Sequence, residues 1–142
     1  MFSKLLVPLD GSQNAFQALD AALDLAKHYQ AQVLAVVVAN DQSYTQYGAR
    51  FGTDIMTHMK EQAEATLAEA KAHGEKAQVA LETQFEVGIP KQAIAESIPE
   101  RYGTNLTVIG KSGVHGLNRA IMGSTTAYVV RKSTTPVLVV GQ

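Results

Sequence analysis

Two hydrophobic rhythms alternate along this chain. Short runs rich in β-branched residues, Lys4–Leu9, Gln32–Val38 and Pro136–Val140, are almost continuously apolar, as expected of strands covered on both faces. Between them, apolar residues return every third or fourth position, the period of a helix packed by one side. The clearest stripe is Ala15, Phe16, Leu19, Ala22, Leu23 and Ala26, with Ser12 placed as its N-cap. A second stripe, Ile55, Met59, Ala63, Leu67 and Ala70, predicts a helix from Asp54 to His73 that Gly74 ends. Its methionines read as core filler. From Gln78 to Val87, the residues Val79, Leu81, Thr83, Phe85 and Val87 alternate with polar ones, predicting a strand with one wetter face and so an edge position. Gly88, Ile89 and Pro90 turn the chain into a short helix bearing Ala93, Ile94 and Ile98, which Pro99 kinks or ends. Leu106–Ile109 supplies strand four and Ser124–Lys132 the last helix. Residues Asn40 to Thr53, with Tyr44, Tyr47, Phe51 and two glycines, follow neither rhythm and are expected to form a loop, either a lid or a disordered insertion.

Strands alternating with helices in this way predict an α/β fold of parallel strands joined by crossover helices. The 142 residues suit one domain with a core that needs no staple. No internal repeat, low-complexity tract or linker interrupts them.

Composition changes this picture in two respects. The chain has no cysteine, so neither a disulfide framework nor a thiolate metal site is open to it, and a cytoplasmic location is expected. The apolar run before Pro8 and Asp10 is too short for a signal sequence, and no stretch approaches the roughly 20 residues of a membrane span. Membrane partners are therefore not expected. A net charge of −1 with few aromatic residues argues against nucleic acid as well, since a basic face and stacking platforms would be needed.

Charge is unevenly spread. Residues 1–100 hold 7 basic and 13 acidic side chains, whereas no acid follows Glu100 and five bases do, namely Arg101, Lys111, Arg119, Arg131 and Lys132. The total of −1 thus divides into −6 and +5. That basic segment contains Gly110, Gly113 and Gly123 followed by Ser124, a G-x2-G-x9-G-S spacing between strand four and the last helix. Glycines let a backbone approach an anion closely, and a helix N-terminus offers unpaired N–H groups with a favourable dipole. A local cationic field over such a loop suits phosphate.

Other motifs exclude more than they offer. Gly110, Lys111 and Ser112 imitate the end of a P-loop, but Asn105 stands where its first glycine belongs and a strand fills the interval. The turn after strand one lacks the G-x-G-x-x-G of dinucleotide binding. Asp10 stands at the C-terminal end of strand one, where ligands dock in open α/β sheets. Its carboxylate has two roles open to it: to accept from a ribose hydroxyl or hold a metal on phosphates, or to close the turn with Gly11. His28 and His73 fall at expected helix C-termini, an ordinary place for imidazole. His58 with Glu61 or Gln62 has no second histidine to complete a metal site, and His115 lies inside the glycine loop as a solvated residue or a phosphate contact. No nucleophile motif is present, so no catalytic residue is assigned.

Taken together these residues resemble the universal stress protein family, in its ATP-binding branch. Gly110, Gly113, Gly123 and Ser124 match the family loop without a gap, Leu6 to Ser12 looks like its first-strand signature, Gly88 to Pro90 like its turn before helix three, and Thr135 to Val140 like its closing strand. The resemblance spans essentially residues 1–142. It implies a single-domain, Rossmann-like nucleotide-binding fold, an open five-stranded parallel sheet in order 3-2-1-4-5 with helices on both faces. It also implies a homodimer through Pro136–Val140, with Val139 the position where a charge would enter the contact and Val137 and Leu138 in the core. ATP, with or without Mg or Mn on its phosphates, would bind where strands one and four part. Pro8 and Asp10 would sit beside the adenosine, Val37 would offer backbone polar groups to adenine, and Ile109 and Gly110 would flank the ribose. Gly113, Gly123, Ser124 and Thr125 would hold the phosphates. Two departures stand out: Lys111 and Ser112 replace the common Ser-Arg, and Asn105 replaces an Asp, a change expected to affect only a turn. The function implied is that of an ATP-binding, nucleotide-dependent regulatory or adaptation factor in stress response. A slow ATP-hydrolysing or phosphotransfer enzyme using the same pocket is the alternative.

Overall fold

Five strands, β1 (Lys4–Pro8), β2 (Gln32–Asn40), β3 (Leu81–Gly88), β4 (Leu106–Gly110) and β5 (Val137–Val140), pair in parallel in the order β3-β2-β1-β4-β5. The computed structural model describes residues 1–112 and 121–141, without the side chains of Tyr47, Phe51 and Thr53. Helices α1 (Gln13–Tyr29) and α3 (Thr53–Ala77) cover one face of the sheet. The other carries α4 (Pro90–Gln92), a π-helical turn (Ala93–Ser97), α5 (Ile98–Tyr102) and α6 (Ser124–Lys132). Each face buries its own core. Leu5, Val7, Val33, Ala35 and Val108 meet Leu19, Leu23 and Leu67 on the first face, while Leu6, Leu34, Val36 and Ile109 meet Ile94, Ile98 and Val129 on the second. Successive strand residues point to opposite faces, so both sets of neighbours must be apolar. This is why β1 and β2 read as unbroken apolar runs.

Several boundaries differ from the sequence expectation, each for a local reason. Residues 41–51 form helix α2 (Asp41–Phe51) rather than a loop. Asn40 caps it, its Oδ1 accepting from the N–H groups of Gln42 and Ser43 at 3.0 and 3.2 Å, and Tyr44 packs its ring 6.3 Å from that of Phe85 in β3. Gly74 does not end α3. It is buried beneath Leu81, whose Cβ would lie 2.9 Å from a side-chain carbon added there, so its function is close helix-to-strand packing. The helix continues to Ala77 and closes on Gln78 in the left-handed conformation, φ 59°. That extension delays β3 to Leu81 and puts His73 inside the helix, where its Nδ1 meets Asp20 Oδ1 at 2.7 Å.

Pro99 neither kinks nor ends its helix in the simple sense. The turn before it widens, with Ile98 donating to the Ala93 carbonyl five residues back, and α5 continues to Tyr102 before Gly103 closes it. A proline has no N–H for the carbonyl of residue 95. Thr134, from the loop before β5, donates its N–H to that Ala95 carbonyl at 3.1 Å instead. Asn105 likewise does more than shape a turn. Its Oδ1 accepts from the N–H groups of Ser3 and Lys4, at 3.1 and 3.2 Å, and its Nδ2 donates to the Met1 carbonyl and to Ser3 Oγ. The amide ties the N-terminus to the start of β4, and an aspartate could supply only the accepting half.

Candidate functional site

The sheet opens at the C-terminal end of its central strand. β1 stays registered with β2 as far as Pro8 opposite Val36, but with β4 only at Leu5 opposite Leu106 and Leu6 opposite Thr107. Leu9 donates to the Val36 carbonyl at 2.8 Å, so by the alternation of a ladder the nitrogen of Pro8 is turned toward β4. Proline has no proton to give there, and the β1–β4 ladder ends. The chain then leaves the sheet plane through a tight turn. Asp10 accepts the N–H of Ser12 on its Oδ1 at 3.0 Å, Gly11 takes φ +82°, and Ser12 caps α1 by accepting from Ala15 at 3.2 Å. Both sequence roles for Asp10 remain compatible with this geometry, because one oxygen closes the turn while the residue is solvent-exposed.

Beyond Pro8, β2 and β4 continue on either side of the lane that β1 has vacated. Ladder alternation fixes which of their peptide groups face it. Val33 donates to the Ala80 carbonyl of β3, and the β2–β3 register runs unbroken to Asn40 opposite Gly88. The N–H and C=O of Val37 are therefore turned to β3, and those of Val38 to the vacated lane. The backbone groups of Val37, assigned to adenine from sequence, are thus engaged with β3, and it is those of Val38 that face the lane. On the other side, Thr107 and Lys111 donate to the Pro136 and Val140 carbonyls of the β5 segment, at 2.9 and 2.8 Å. The N–H of Gly110 accordingly faces the lane. Ile109 is buried, its side chain packed in the second core, so only its backbone is near the opening.

The start of α6 is fastened to the same place. Gly123 donates its N–H to the Lys111 carbonyl at 2.9 Å, and Thr126 donates its hydroxyl to the Gly110 carbonyl at 2.7 Å in a buried contact. Gly123 is the N-cap, with no side-chain cap and no acidic residue in the first turn. The first-turn N–H groups of an α-helix have no partner within it, and here the exposed Ser124 and half-buried Thr125 surround them. Gly113 and His115 lie outside the described residues. From α1, Asn14 donates to both the carbonyl and the hydroxyl of Ser112 at 3.0 Å. Its backbone is close enough to β4 that a Cβ on Gly110 would stand 3.0 Å from the Asn14 carbonyl oxygen.

Three of the five bases of the basic segment lie away from this opening. Arg101 sits on α5 and pairs with Glu86 at 3.0 Å, where the hydrogen bond from Tyr102 to Glu86 also pushes the phenol pKa up. Arg131 and Lys132 occupy the last turn of α6, about 12 Å from its start at 1.5 Å per residue. There they complement the negative end of the helix dipole. Arg119 lies outside the described residues. Of the described bases in this segment, only Lys111 is at the loop. Sequence reasoning missed Asn14, Val38 and Thr126. The first pairs with a residue 98 positions away, and the others depend on ladder parity and helix docking. No motif could have signalled them.

Known proteins share this architecture. The universal stress protein family matches residues 1–141. The universal stress protein YxiE of Bacillus subtilis is 33% identical over 148 aligned positions, which cover 99% of each chain. Universal stress protein UspA from Lactobacillus plantarum superposes with a TM-score of 0.85 at 27% identity, over 98% of this chain and 97% of that one. A crystal structure of a universal stress protein in complex with cAMP superposes at 0.74 with 27% identity, over 98% and 97%. A sheet in this order, open where β1 and β4 part, with a match along nearly its whole length, means that this chain belongs to the universal stress protein family.

Proposed function

We propose that this protein binds an adenine nucleotide in the lane vacated by β1 and serves as a nucleotide-dependent regulatory factor in stress response. The observation that carries the reading is the α6 N-terminus. It lacks a side-chain cap and a first-turn acid, and Gly123 is fastened to Lys111 at the sheet's topological switch point, where ligands of open α/β sheets bind. The related structure in complex with cAMP supports an adenine nucleotide over other anions. Phosphate would rest on the first-turn N–H groups around Gly123, Ser124 and Thr125, with Gly113 of the loop. The adenosine would lie between Val38 and Gly110, beside Pro8 and Asp10. ATP is the ligand that the complete loop spacing favours, with Asp10 the carboxylate available to a divalent cation on its phosphates.

Mass action tests this directly. A ligand that binds only the folded pocket, at 100 times its Kd, adds about 2.7 kcal/mol, which for a chain of this size raises Tm by roughly 8 °C. Calorimetric scans with increasing ATP and AMP are expected to show that concentration-dependent rise. No shift with any adenine nucleotide defeats the reading. Multiple-turnover phosphate release, lost in a loop variant, would replace the regulator with a hydrolase.

We also propose that β5 forms a twofold contact. It is a sheet edge with unpaired ladder groups that a second copy can satisfy. The residue to test is Leu138 rather than Val139. Val137 and Val139 pack against the second core, whereas Leu138 is 38% exposed and Val130 on α6 is 47% exposed. Leu138→Lys is expected to turn a dimer into a monomer in light scattering at micromolar concentration, with Tm little changed. A strictly monomeric parent would exclude the interface.

A further inference from the structure

We propose that Ser112 donates its hydroxyl proton to the phosphate chain of the bound nucleotide, and that Asn14 is the positioning residue that aims it. This deepens the nucleotide reading above and rests on it.

The hydrogen-bond pattern leaves Ser112 few alternatives. Asn14 approaches the Ser112 carbonyl at 3.0 Å. A carbonyl only accepts, so the amide nitrogen rather than its oxygen must face Ser112, which settles the orientation of the amide. The same NH2 group reaches Ser112 Oγ at 3.0 Å, and that oxygen is therefore an acceptor. A hydroxyl that accepts from Asn14 must turn its own proton elsewhere. Among the described residues no acceptor takes it.

Position decides what would. Ser112 follows Lys111, whose carbonyl holds the N–H of Gly123, so its backbone lies one residue from the anchor of the α6 N-terminus, where the phosphate of the proposed nucleotide would rest. An anionic oxygen is the strongest acceptor for such a proton, and a charge-assisted bond is roughly twice as strong as a neutral one. Asn14 is itself well held. It lies in the first turn of α1 behind the Ser12 cap, with its backbone pressed against β4 at Gly110.

Titration calorimetry with adenosine, AMP and ATP on the parent, Ser112→Ala, Asn14→Ala and the double variant tests the assignment. Ser112→Ala is expected to weaken AMP and ATP by about tenfold, as for a hydrogen bond to a charged group, and to leave adenosine unchanged. Asn14→Ala should show the same selectivity. Because both act through one hydroxyl, the double variant should be no weaker than Ser112→Ala alone. Unchanged AMP and ATP affinity in Ser112→Ala overturns the proposal while the nucleotide reading stands. An Asn14→Ala loss that extends to adenosine, or adds to that of Ser112→Ala, overturns the positioning role and makes Asn14 structural. A parent that binds none of the three ligands defeats the nucleotide reading itself, and this proposal with it.

Discussion

Gly123→Val is expected to lower AMP and ATP affinity by about 100-fold or more, close to 2.7 kcal/mol, in a protein that still folds. Gly123 has φ −60° and ψ 154°, an extended conformation that valine adopts readily, so backbone strain is not what makes glycine necessary. The N–H of Gly123 stays on the Lys111 carbonyl, because the substitution leaves the main chain intact. What changes is the space in front of the α6 first turn. Two methyl groups would occupy the approach to N–H groups that a phosphate must reach to within about 3 Å. Loss of a good N-cap residue costs about 1 kcal/mol, visible as a small drop in Tm and separable from the binding loss. Titration calorimetry that finds parent-like affinity in a folded Gly123→Val protein would remove α6 from the site.

Gly110→Val should act through the fold instead. A Cβ there would stand 3.0 Å from the Asn14 carbonyl oxygen, 3.1 Å from its carbon and 3.4 Å from the Ala15 nitrogen. All three are backbone atoms of a capped helix and cannot swing aside as a side chain could. Either α1 lifts from β4, uncovering Leu19 and Val108 of the first core, or the strand end bends away. Overpacking of this kind costs about 3 kcal/mol, or some 9 °C in Tm. Urea titration should show the midpoint falling with the slope unchanged, and Gly110→Ala should fall in between. A Gly110→Val protein as stable as its parent would mean that α1 and β4 are not in contact as described.

How much of this was legible beforehand depended on whether the cause was local. β1, β2 and α1 announced themselves because both faces of a central strand and one stripe of a covering helix must be apolar. The glycine spacing was visible because backbone approach to an anion needs particular residues at particular intervals. Helix α2 was not, since its order comes from the Asn40 cap and from Tyr44 reaching Phe85, forty-one residues on in sequence. Gly74 looked like a stop because its packing partner, Leu81, belongs to the next strand. The difference between Val37 and Val38, and between Val139 and Leu138, has one origin. Which face or edge a strand residue presents alternates at every position, so an error of one residue reverses the answer, and parity is set by partner strands that no local window contains. The basic tail shows the converse hazard, a pattern present in sequence whose members fold to different ends of the molecule.

The two-rung junction between β1 and β4 gives this sheet an unusual mechanical profile. Most sheets are weakest at their margins. Here the three-strand half β3-β2-β1 and the two-strand half β4-β5 meet along a seam whose ladder pairs are at Leu5 and Leu6, with Asn105 tying its start to Ser3 and Lys4 and helices bridging it. Beyond those rungs α1 is fastened to the chain after β4, where Asn14 donates to Ser112. A molecule lodged in the opening would touch both halves at once and behave as a rivet across the seam. Strand β4, on one side of the seam, would then report on occupancy, with the N–H of Gly110 gaining protection from exchange as the rivet enters.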